Sequence, residues 1–332
     1  MSVIGVGVIG LGEMGQTHSA IYANLPQTRL VAVFDVDPER TRSIAERYAA
    51  TACATFADVL AHPDVDAVSI CTPDDQHYDA AMQAIDAGKH ILLEKPLTTD
   101  LGQGRQLVER AAQSPTILMV GHTLRFDPRY YLAKRELADG HIGDAIHAYA
   151  RRNNLLANAR RIGGRTSVAM FLGVHDLDVL MWVMESDLTS VYAVATTKAL
   201  GDLGVADAIV ATLRFASGAI GVLEVSWVLP DHFVAGIDAR MEIIGTEGAL
   251  YVDIHNQGLR VFTQGRLTYP DTTYGPQLHG RPVGIMTDEI AEFIRAVVDG
   301  LPSPVSAADG YRAVVAADAI ERSVRTGLAV TL

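Results

Sequence analysis

The chain has few cysteines, fewer basic than acidic residues and no long apolar run, and each shortage excludes a class of protein. The two cysteines, Cys53 and Cys71, lie in apolar stretches, which favours reduced thiols over a disulfide framework. Lys and Arg total 27 against 39 Asp and Glu, giving a net charge of −12. An acidic balance of this size argues against a general nucleic-acid-binding surface.

Membrane spans, leader peptides and metal sites are also not expected. A spanning helix needs about 18 or more apolar residues, and the nearest candidate, residues 209–229, contains Arg214 and Glu224. The first strand-like segment begins at Val3, which leaves no room for a signal peptide, so a cytoplasmic location is expected. The histidines form neither H-E-x-x-H nor a Cys/His cluster, so we expect no metal site.

The most informative segment is residues 3–35. An apolar run over 3–9 ends in a glycine fingerprint, and a second apolar run over 30–34 ends in Asp35. The fingerprint is G-x-G-x-x-G, made of Gly10, Leu11, Gly12, Glu13, Met14 and Gly15. This order of strand, turn, helix, strand and acid predicts that the six fingerprint residues and Asp35 bind a dinucleotide. The alternative is a structural turn without a ligand.

Each part of the fingerprint has a physical role. Gly10 permits the tight turn, Gly12 lets a pyrophosphate approach the backbone, and Gly15 lets the helix pack closely on the strand. The helix that starts near Glu13 directs its amide groups at the phosphates. Asp35 is placed to accept hydrogen bonds from the adenosine ribose.

Asp35 also predicts which dinucleotide binds. A carboxylate about 4 Å from a 2′-phosphate is repelled by roughly 4 kcal/mol at an effective dielectric constant of about 20. The residues that follow supply Arg40 but also add Asp37. The sequence therefore favours NAD over NADP.

The pattern over residues 1–122 is that of a doubly wound parallel sheet. Short apolar runs, typical of strands covered on both faces, alternate with amphipathic segments. Strands are predicted at 3–9, 30–34, 67–71, 90–93 and 117–120, and helices at 14–24, 38–49, 76–87 and 102–113. We expect a Rossmann domain over 1–122, with ligands outside the carboxyl ends of its strands.

From residue 123 to 332 the pattern predicts an α+β domain with a large, mostly antiparallel, open-faced sheet. Runs rich in Val, Ile and Thr are separated by turns that suit hairpins. Strands are predicted at 145–152, 190–198, 206–215, 218–228, 238–245, 248–254 and 259–263, and helices at 128–139, 174–184, 286–298 and 307–325. The fold class is α/β, with the Rossmann domain first.

Two clusters follow the predicted parallel strands. Thr72 and Pro73 come after one strand and His77 opens the next helix, which indicates either a nicotinamide-side wall or a plain loop turn. Glu94 and Lys95, in the sequence E-K-P, follow the next strand. A lysine at this edge can hydrogen-bond a substrate hydroxyl and stabilise a developing alkoxide. The alternative is a surface ion pair.

Later clusters hold further candidates. Arg125, after the last parallel strand, is either a substrate contact or an interdomain ion pair. His175 and Asp178 are three residues apart and share a helix face. A helix-borne imidazole can accept a proton as hydride leaves the same carbon, although such a histidine is often structural.

Five arginines fall within residues 151–165, which we interpret as an irregular basic loop. They are Arg151, Arg152, Arg160, Arg161 and Arg165. Guanidinium groups there, Arg160 and Arg161 among them, suit a carboxylate or phosphate on the substrate. The alternative is a solvated loop or a subunit contact.

Taken together, these clusters resemble the Gfo/Idh/MocA oxidoreductases, the family of glucose–fructose oxidoreductase and inositol dehydrogenase. The matching motifs are G-L-G-E-M-G, C-T-P with His77, E-K-P, R-F-D-P after G-H-T-L, and H-D-L-D. The resemblance covers essentially the whole chain. It implies NAD(P)-dependent oxidation of a sugar, sugar acid or cyclic polyol hydroxyl, or the reverse reduction. It also implies a homodimer or homotetramer built through the open sheet.

By this resemblance Lys95 orients the substrate hydroxyl and His175 accepts its proton, so both are the candidate catalytic residues. One departure stands out. Many inositol-dehydrogenase-like members carry an Asp four residues before the histidine, where this chain has Phe171. Either Asp178 supplies the carboxylate that is missing at Phe171, or Lys95 carries more of the proton transfer, or the substrate differs from inositol.

Two other functions fit the same residues. Some relatives use NAD transiently to cleave glycosidic bonds, and a third reading is a non-catalytic dinucleotide sensor. A glycosidase would release sugar without net NADH, and a sensor would bind NADH without turnover.

Overall fold

The computed structural model describes residues 3–255 and 257–332, and the chain divides into two compact units. The first unit comprises the chain through Thr123 together with Tyr274–Tyr311, and the second comprises Leu124–Thr273 and Arg312–Leu332. The sequence-based division after residue 122 did not include this return of the chain to the first unit. In the returning segment, the Val305 carbonyl accepts a hydrogen bond from the Val120 N–H at 3.0 Å. Val120 belongs to the last parallel strand, so the returning segment is bonded to that strand.

The first unit begins with alternating strands and helices. These are β1 Ile4–Ile9, α1 Glu13–Tyr22, β2 Thr28–Phe34, α2 Pro38–Tyr48, β3 Thr51–Ala52, α3 Phe56–Ala61, β4 Ala67–Ile70, α4 His77–Asp86, β5 His90–Leu93, α5 Leu101–Ala112 and β6 Leu118–Val120. Local signals set the helix starts. The Asp37 carboxylate caps α2 with Pro38 at its first position, and Thr55 and Asp58 form a capping box on α3.

The second unit contains most of the remaining elements. They are α6 Pro128–Ala138, β7 Ala145–Leu155, α7 Leu156–Ile162, α8 Val174–Met184, β8 Leu188–Thr196, β9 Ala208–Phe215, β10 Ile220–Leu229, β11 Ile237–Gly245, β12 Ala249–Asp253, β13 Val261–Phe262 and β14 Leu267–Thr268. The chain then forms β15 Gln277–Leu278, β16 Arg281–Pro282 and α9 Ile285–Asp299 in the first unit, followed by α10 Ala307–Thr326 and β17 Val330–Thr331.

The sheet of the first unit is parallel, with strand order β3-β2-β1-β4-β5-β6. Every residue of β1 and β4 is buried, because helices cover both faces, as the continuous apolar runs predicted. Ile9 pairs with Ile70, Ile70 with Leu93, and Leu93 with Val120. The residues that follow these four strands therefore meet at one edge.

The sheet of the second unit is mixed and mostly antiparallel, with order β12-β11-β7-β10-β9-β8-β17. Only β7 and β10 pair in parallel among its described strands. Burial alternates along β9 and β10, so one face is packed and the other is open. The predicted fold class is confirmed.

Two details of the sequence interpretation are wrong. Residues 151–165 are not an irregular loop. Arg151 and Arg152 lie in β7, as the strand predicted at 145–152 has them, but β7 continues to Leu155, and Arg160 and Arg161 lie in α7. The predicted strand at 259–263 is reduced to β13, two residues in a separate hairpin with β14. Helix α3 and strand β3 were not predicted, because six and two residues are too short to show a period. Within the described ranges, no helix is both long and apolar enough to cross a membrane.

Two glycines of the first turn offer a matched test of packing. An ideal Cβ on Gly15 would lie 1.8 Å from the Gly10 carbonyl oxygen, whereas one on Gly12 would meet nothing within 4 Å. We expect Gly15→Ala to lower the free energy of unfolding by about 1–3 kcal/mol. Gly12→Ala should cost at most about 1 kcal/mol, as the N-cap position allows. Urea denaturation measures both, and equal losses would contradict this packing.

Candidate cofactor and substrate site

The fingerprint loop forms an open backbone cradle at the start of α1. Gly10 has φ +81°, and its ideal Cβ would lie 2.7 Å from the Cys71 backbone, so only glycine fits there. Gly12 is the N-cap residue of α1, and space is open around its Cα. Leu11 is fully buried. The first amide groups of α1, from Glu13 and Met14 onwards, have no partner within the helix, which suits phosphate oxygens.

Asp35 is fixed at the end of β2 and is linked to that loop. Its Oδ2 accepts the Leu11 N–H at 2.6 Å, and its Oδ1 accepts the Asp37 N–H at 2.9 Å. Arg40 Nη1 lies 3.2 Å from Asp35 Oδ1, and Arg40 Nη2 lies 3.5 Å from Asp37. Two carboxylates therefore surround one guanidinium, which leaves net negative charge beside the fingerprint loop. This supports the predicted preference for NAD.

His77 joins two loops at the same edge of the sheet. Its Nδ1 lies 2.7 Å from the Pro96 carbonyl oxygen and its Nε2 lies 3.0 Å from that of Thr72. Burial lowers the pKa of His77 although both carbonyls favour its charged form. Pro73 is exposed beside Thr72. The imidazole is thus an internal connector between two loops, and the Pro73 carbonyl accepts the Gln76 N–H at 2.9 Å.

Glu94 and Lys95 follow β5 directly. Glu94 is 6% exposed, and its Oε2 accepts the Lys95 backbone N–H at 3.3 Å. Burial by itself raises the pKa of Glu94. The His18 contact and the charges of His18, Lys95 and His77 outweigh that effect and lower the pKa below its ordinary value. Lys95 is half-buried. The predicted surface ion pair is therefore wrong for Glu94, which is an interior anion beside the lysine.

Sequence reasoning missed the groups behind Glu94. His18 on α1 and Glu289 on α9 are both fully buried. The His18 Nε2 lies 3.3 Å from Glu94 Oε1, and Glu289 accepts a hydrogen bond from Thr123 Oγ1 at 3.0 Å. The available signal was the polar spacing of His18 and Tyr22, four residues apart on a helix that packs against the sheet.

The other candidate residues lie in the second unit. Arg125 and Asp178 form a buried bidentate pair, with Nε to Oδ2 at 2.9 Å and Nη2 to Oδ1 at 2.6 Å. The Arg125 guanidinium also lies 5.6 Å from the centre of the Trp182 ring. Both residues belong to the second unit, so this ion pair lies within one unit. This arrangement anchors the start of α8 to the segment before α6.

His175 lies in the first turn of α8 and is half-buried. The next residue, Asp176, is fully buried and bonded to Arg152 at 2.6 Å. A π-helical turn, Ala169–Gly173, precedes α8. It carries Phe171, whose ring centre lies 6.2 Å from that of Trp227. A π turn often marks a functional site, and here it sets the direction in which α8 begins.

The basic cluster does not present a set of arginines to an anion. Arg160 Nη1 lies 2.7 Å from Asp202 and its Nη2 donates to the Ala199 carbonyl at 3.0 Å. Arg151 pairs with Asp238 at 3.0 Å, and Arg161 is exposed on α7. Because three of these arginines, Arg152 included, have carboxylate partners within the unit, the observations favour the structural interpretation.

The first unit fits the dinucleotide part by part. It offers an open cradle at Gly12, a helix N-terminus, an acid at the end of β2, and a carboxylate and a lysine at the end of β5. Across the described ranges, no group of three or more His, Cys, Asp or Glu residues is arranged to hold a metal ion.

Comparison with known proteins agrees with this geometry. Residues 4–122 match the family model described as an oxidoreductase family with an NAD-binding Rossmann fold, and residues 130–251 match the GFO/IDH/MocA C-terminal domain. The chain is 30% identical to an inositol 2-dehydrogenase of Rhizobium meliloti, over 96% of each chain. It is 31% identical to a scyllo-inositol 2-dehydrogenase (NAD(+)) of Bacillus subtilis, over 74% of this chain and 72% of the relative.

A solved structure is similar to this protein over the whole length of the chain. GenD2, from gentamicin A biosynthesis and crystallised in complex with NAD, superposes with a TM-score of 0.85 at 27% identity, covering 100% of this chain and 97% of that one. The fold, the fingerprint and the family models together confirm the predicted family. The chain belongs to the Gfo/Idh/MocA family of NAD-dependent oxidoreductases.

Proposed function

We propose that this protein is an NAD-dependent dehydrogenase of a cyclic polyol of the inositol type. The observation that carries the proposal is Lys95, which follows β5 at the sheet edge that also holds the glycine cradle. A chain that needed only to bind a dinucleotide would have no use for a lysine there. The two free cysteines suit the reducing cytoplasm as its location.

Within the proposal, Lys95 and His175 are the two catalytic side chains. When bound, NAD accepts hydride from the carbon that bears the substrate hydroxyl. The Lys95 ammonium hydrogen-bonds that hydroxyl and stabilises the negative charge that develops on its oxygen. The His175 imidazole accepts the hydroxyl proton, an effect worth roughly 10²–10⁴-fold in rate. In the reverse direction the same groups return the proton to the carbonyl oxygen.

A neutral polyol suits the second unit better than a sugar acid or sugar phosphate. Arg160 is held by Asp202 and the Ala199 carbonyl, and Arg125 is held by Asp178. Neither guanidinium is arranged as a preorganised anion receptor. The inositol 2-dehydrogenase relative, similar over nearly its whole length, supports the same substrate class. Phe171 in place of the family's Asp points to a pocket that differs in detail.

We also propose that the protein self-associates through the open face of its second sheet. One half of this face, formed by β8, β9 and β10, carries exposed apolar side chains. Val194 lies opposite Val210 in the pairing of β8 and β9, and Ile220 lies further along β10, where it pairs with Arg214. The three apolar side chains are 45–54% exposed. The other half carries both signs, including the Arg151–Asp238 pair. A surface with exposed apolar side chains in one area and charges of both signs in the other suits a two-fold symmetric contact with a second copy of the chain.

The charge of Asp35 predicts cofactor choice. Asp35→Asn keeps a hydrogen-bond acceptor but removes the charge that repels a 2′-phosphate. We expect the ratio of NADPH to NADH affinity to rise at least about tenfold, measured by fluorescence titration. Asp64→Asn, an exposed acid paired with Arg29 in the same unit, is the control. An unchanged ratio in Asp35→Asn would refute the assignment.

Substitution of the proposed catalytic residues tests the reaction. We expect Lys95→Ala and His175→Ala each to lower kcat on myo-inositol or scyllo-inositol by about 10² or more, followed by NADH absorbance. The exposed residues Lys198 and His232 provide matched controls when changed to alanine. Full turnover in both site variants would exclude the proposed roles.

The same assay separates the rival functions. A panel of inositols, sugars, sugar acids and glycosides is followed both for NADH and for released sugar. Sugar release without net NADH would indicate the glycosidase, and NADH binding without any turnover would indicate the sensor.

The open sheet face predicts an oligomer. Sedimentation velocity at micromolar concentration should show a dimer or tetramer, and Val210→Asp should shift it towards the monomer by placing a charge in the apolar half. Val3→Asp, at a valine that is 56% exposed in the first unit, should leave the assembly intact. A monomeric wild-type protein would contradict the proposal.

A further inference from the structure

The carboxylate of Asp35 has a protein donor at each of its acceptor positions. Its Oδ2 accepts the Leu11 N–H at 2.6 Å and lies 3.3 Å from Arg40 Nη1. Its Oδ1 accepts the Asp37 N–H at 2.9 Å and lies 3.2 Å from the same Nη1. An ionised carboxylate offers about four acceptor positions on its two oxygens. Backbone amides therefore fill two of these positions, and the Arg40 guanidinium fills the other two.

Asp35 itself is held in place. Its side chain is 7% exposed, and its backbone N–H donates to Thr41 Oγ1 at 2.9 Å. Thr41 Oγ1 also lies 3.2 Å from the Asp35 carbonyl oxygen and 3.1 Å from that of Asp37. These bonds fix the backbone of Asp35, and the two amides that its carboxylate accepts fix the side chain. A ligand that binds this carboxylate must therefore replace the Arg40 guanidinium.

Arg40 is the movable member of this group. Its side chain is 42% exposed, and its Nη2 lies 3.5 Å from Asp37 Oδ2. Arg40 is in the first turn of α2, where the helix dipole disfavours a cation, so the two carboxylates hold the guanidinium there. Asp37 uses its other oxygen, Oδ1, to accept the backbone N–H groups of Glu39 and Arg40. Asp37 Oδ2 thus gives the guanidinium a second partner.

The adenosine ribose of NAD requires the acceptor positions that Arg40 holds. An acid at the end of the second strand of this fold accepts a hydrogen bond from the ribose 2′-hydroxyl. The amides of Leu11 and Asp37 belong to the backbone around Asp35 and stay in place, so the ribose and the Arg40 guanidinium compete for the carboxylate. In NADP a phosphate replaces the 2′-hydroxyl. The phosphate has no proton to donate to Asp35 and is bound by cations instead.

We propose that Arg40 is a specificity-determining residue that competes with the adenosine ribose: it occupies two acceptor positions of Asp35 and passes to Asp37 when NAD binds. The inference rests on the role proposed above for Asp35. Separating Arg40 from Asp35 opposes the binding of NAD, so the arginine lowers the affinity for NAD. The same guanidinium is a cation for the 2′-phosphate of NADP. Arg40 therefore narrows the preference for NAD that Asp35 creates.

The test measures the binding of NADH and NADPH by fluorescence titration, without substrate. We expect Arg40→Met to bind NADH about two- to fivefold more tightly, the range for a partly exposed ion pair, and to bind NADPH more weakly. General electrostatics predicts the opposite for NADH, because the variant loses a positive charge and the ligand is an anion. Arg42→Met removes an exposed arginine from the same helix and should not tighten the binding of NADH.

A second set of variants tests the transfer of Arg40 to Asp37. Asp37→Asn keeps a helix cap but removes the second carboxylate, so Arg40 stays on Asp35 and NADH should bind about two- to fivefold more weakly. When Arg40→Met is also present, Asp37→Asn should not weaken the binding of NADH. Glu39→Gln, at an exposed acid in the same turn, is the control and should not weaken it either. Thermal unfolding confirms that each variant is folded.

The outcomes separate this inference from the proposed function. Unchanged or weaker NADH binding by folded Arg40→Met, with Asp35→Asn responding as predicted above, overturns the competition and leaves the role of Asp35 intact. Tighter NADH binding by both Arg40→Met and Arg42→Met would indicate a general charge effect and would also overturn it. An unchanged ratio of NADPH to NADH affinity in Asp35→Asn would instead refute the role of Asp35. Because these titrations contain no polyol, a different substrate would leave the inference standing.

Discussion

The parallel pairing of β1, β4, β5 and β6 is the constraint on which the site depends. Because these strands are hydrogen-bonded in register, Ile9, Ile70, Leu93 and Val120 end at one line. Residues that follow four separate strands are thereby brought together. The glycine cradle, the Thr72 backbone and the Glu94–Lys95 pair all owe their position to this backbone pairing.

Buried charged side chains are the second feature that shapes the structure. The second unit balances Arg152 against Asp176 and Arg125 against Asp178, each as a close interior pair. In the first unit, burial raises the pKa of Glu289, whereas the His18 contact and neighbouring charges outweigh burial and lower the pKa of Glu94. Removing one member of a buried pair leaves an uncompensated charge and is strongly destabilising. The pairs in the second unit therefore hold α8 against β7 and against the segment before α6.

Much of this architecture could be predicted from the sequence because its signals are local. The glycine spacing, the apolar runs and the alternating strands each follow from a period or a turn of a few residues. What could not be predicted depends on tertiary contacts. Arg160 looked available to an anion because Asp202 is distant in sequence, and the buried position of Glu289 was not predicted. Its burial follows from the return of residues 274–311 to the first unit, which no local pattern reveals.

The central claim is that the carboxyl edge of the first sheet binds NAD with its phosphates on the backbone of Gly12 and the start of α1. Isothermal titration calorimetry of the wild-type protein and Gly12→Ala with NADH tests it most directly, because the added methyl group occupies the cradle without disturbing the fold. The account predicts micromolar or tighter binding by the wild-type protein, and affinity at least about tenfold weaker in the variant. Equal affinity in the two proteins, or no binding by either, would contradict it.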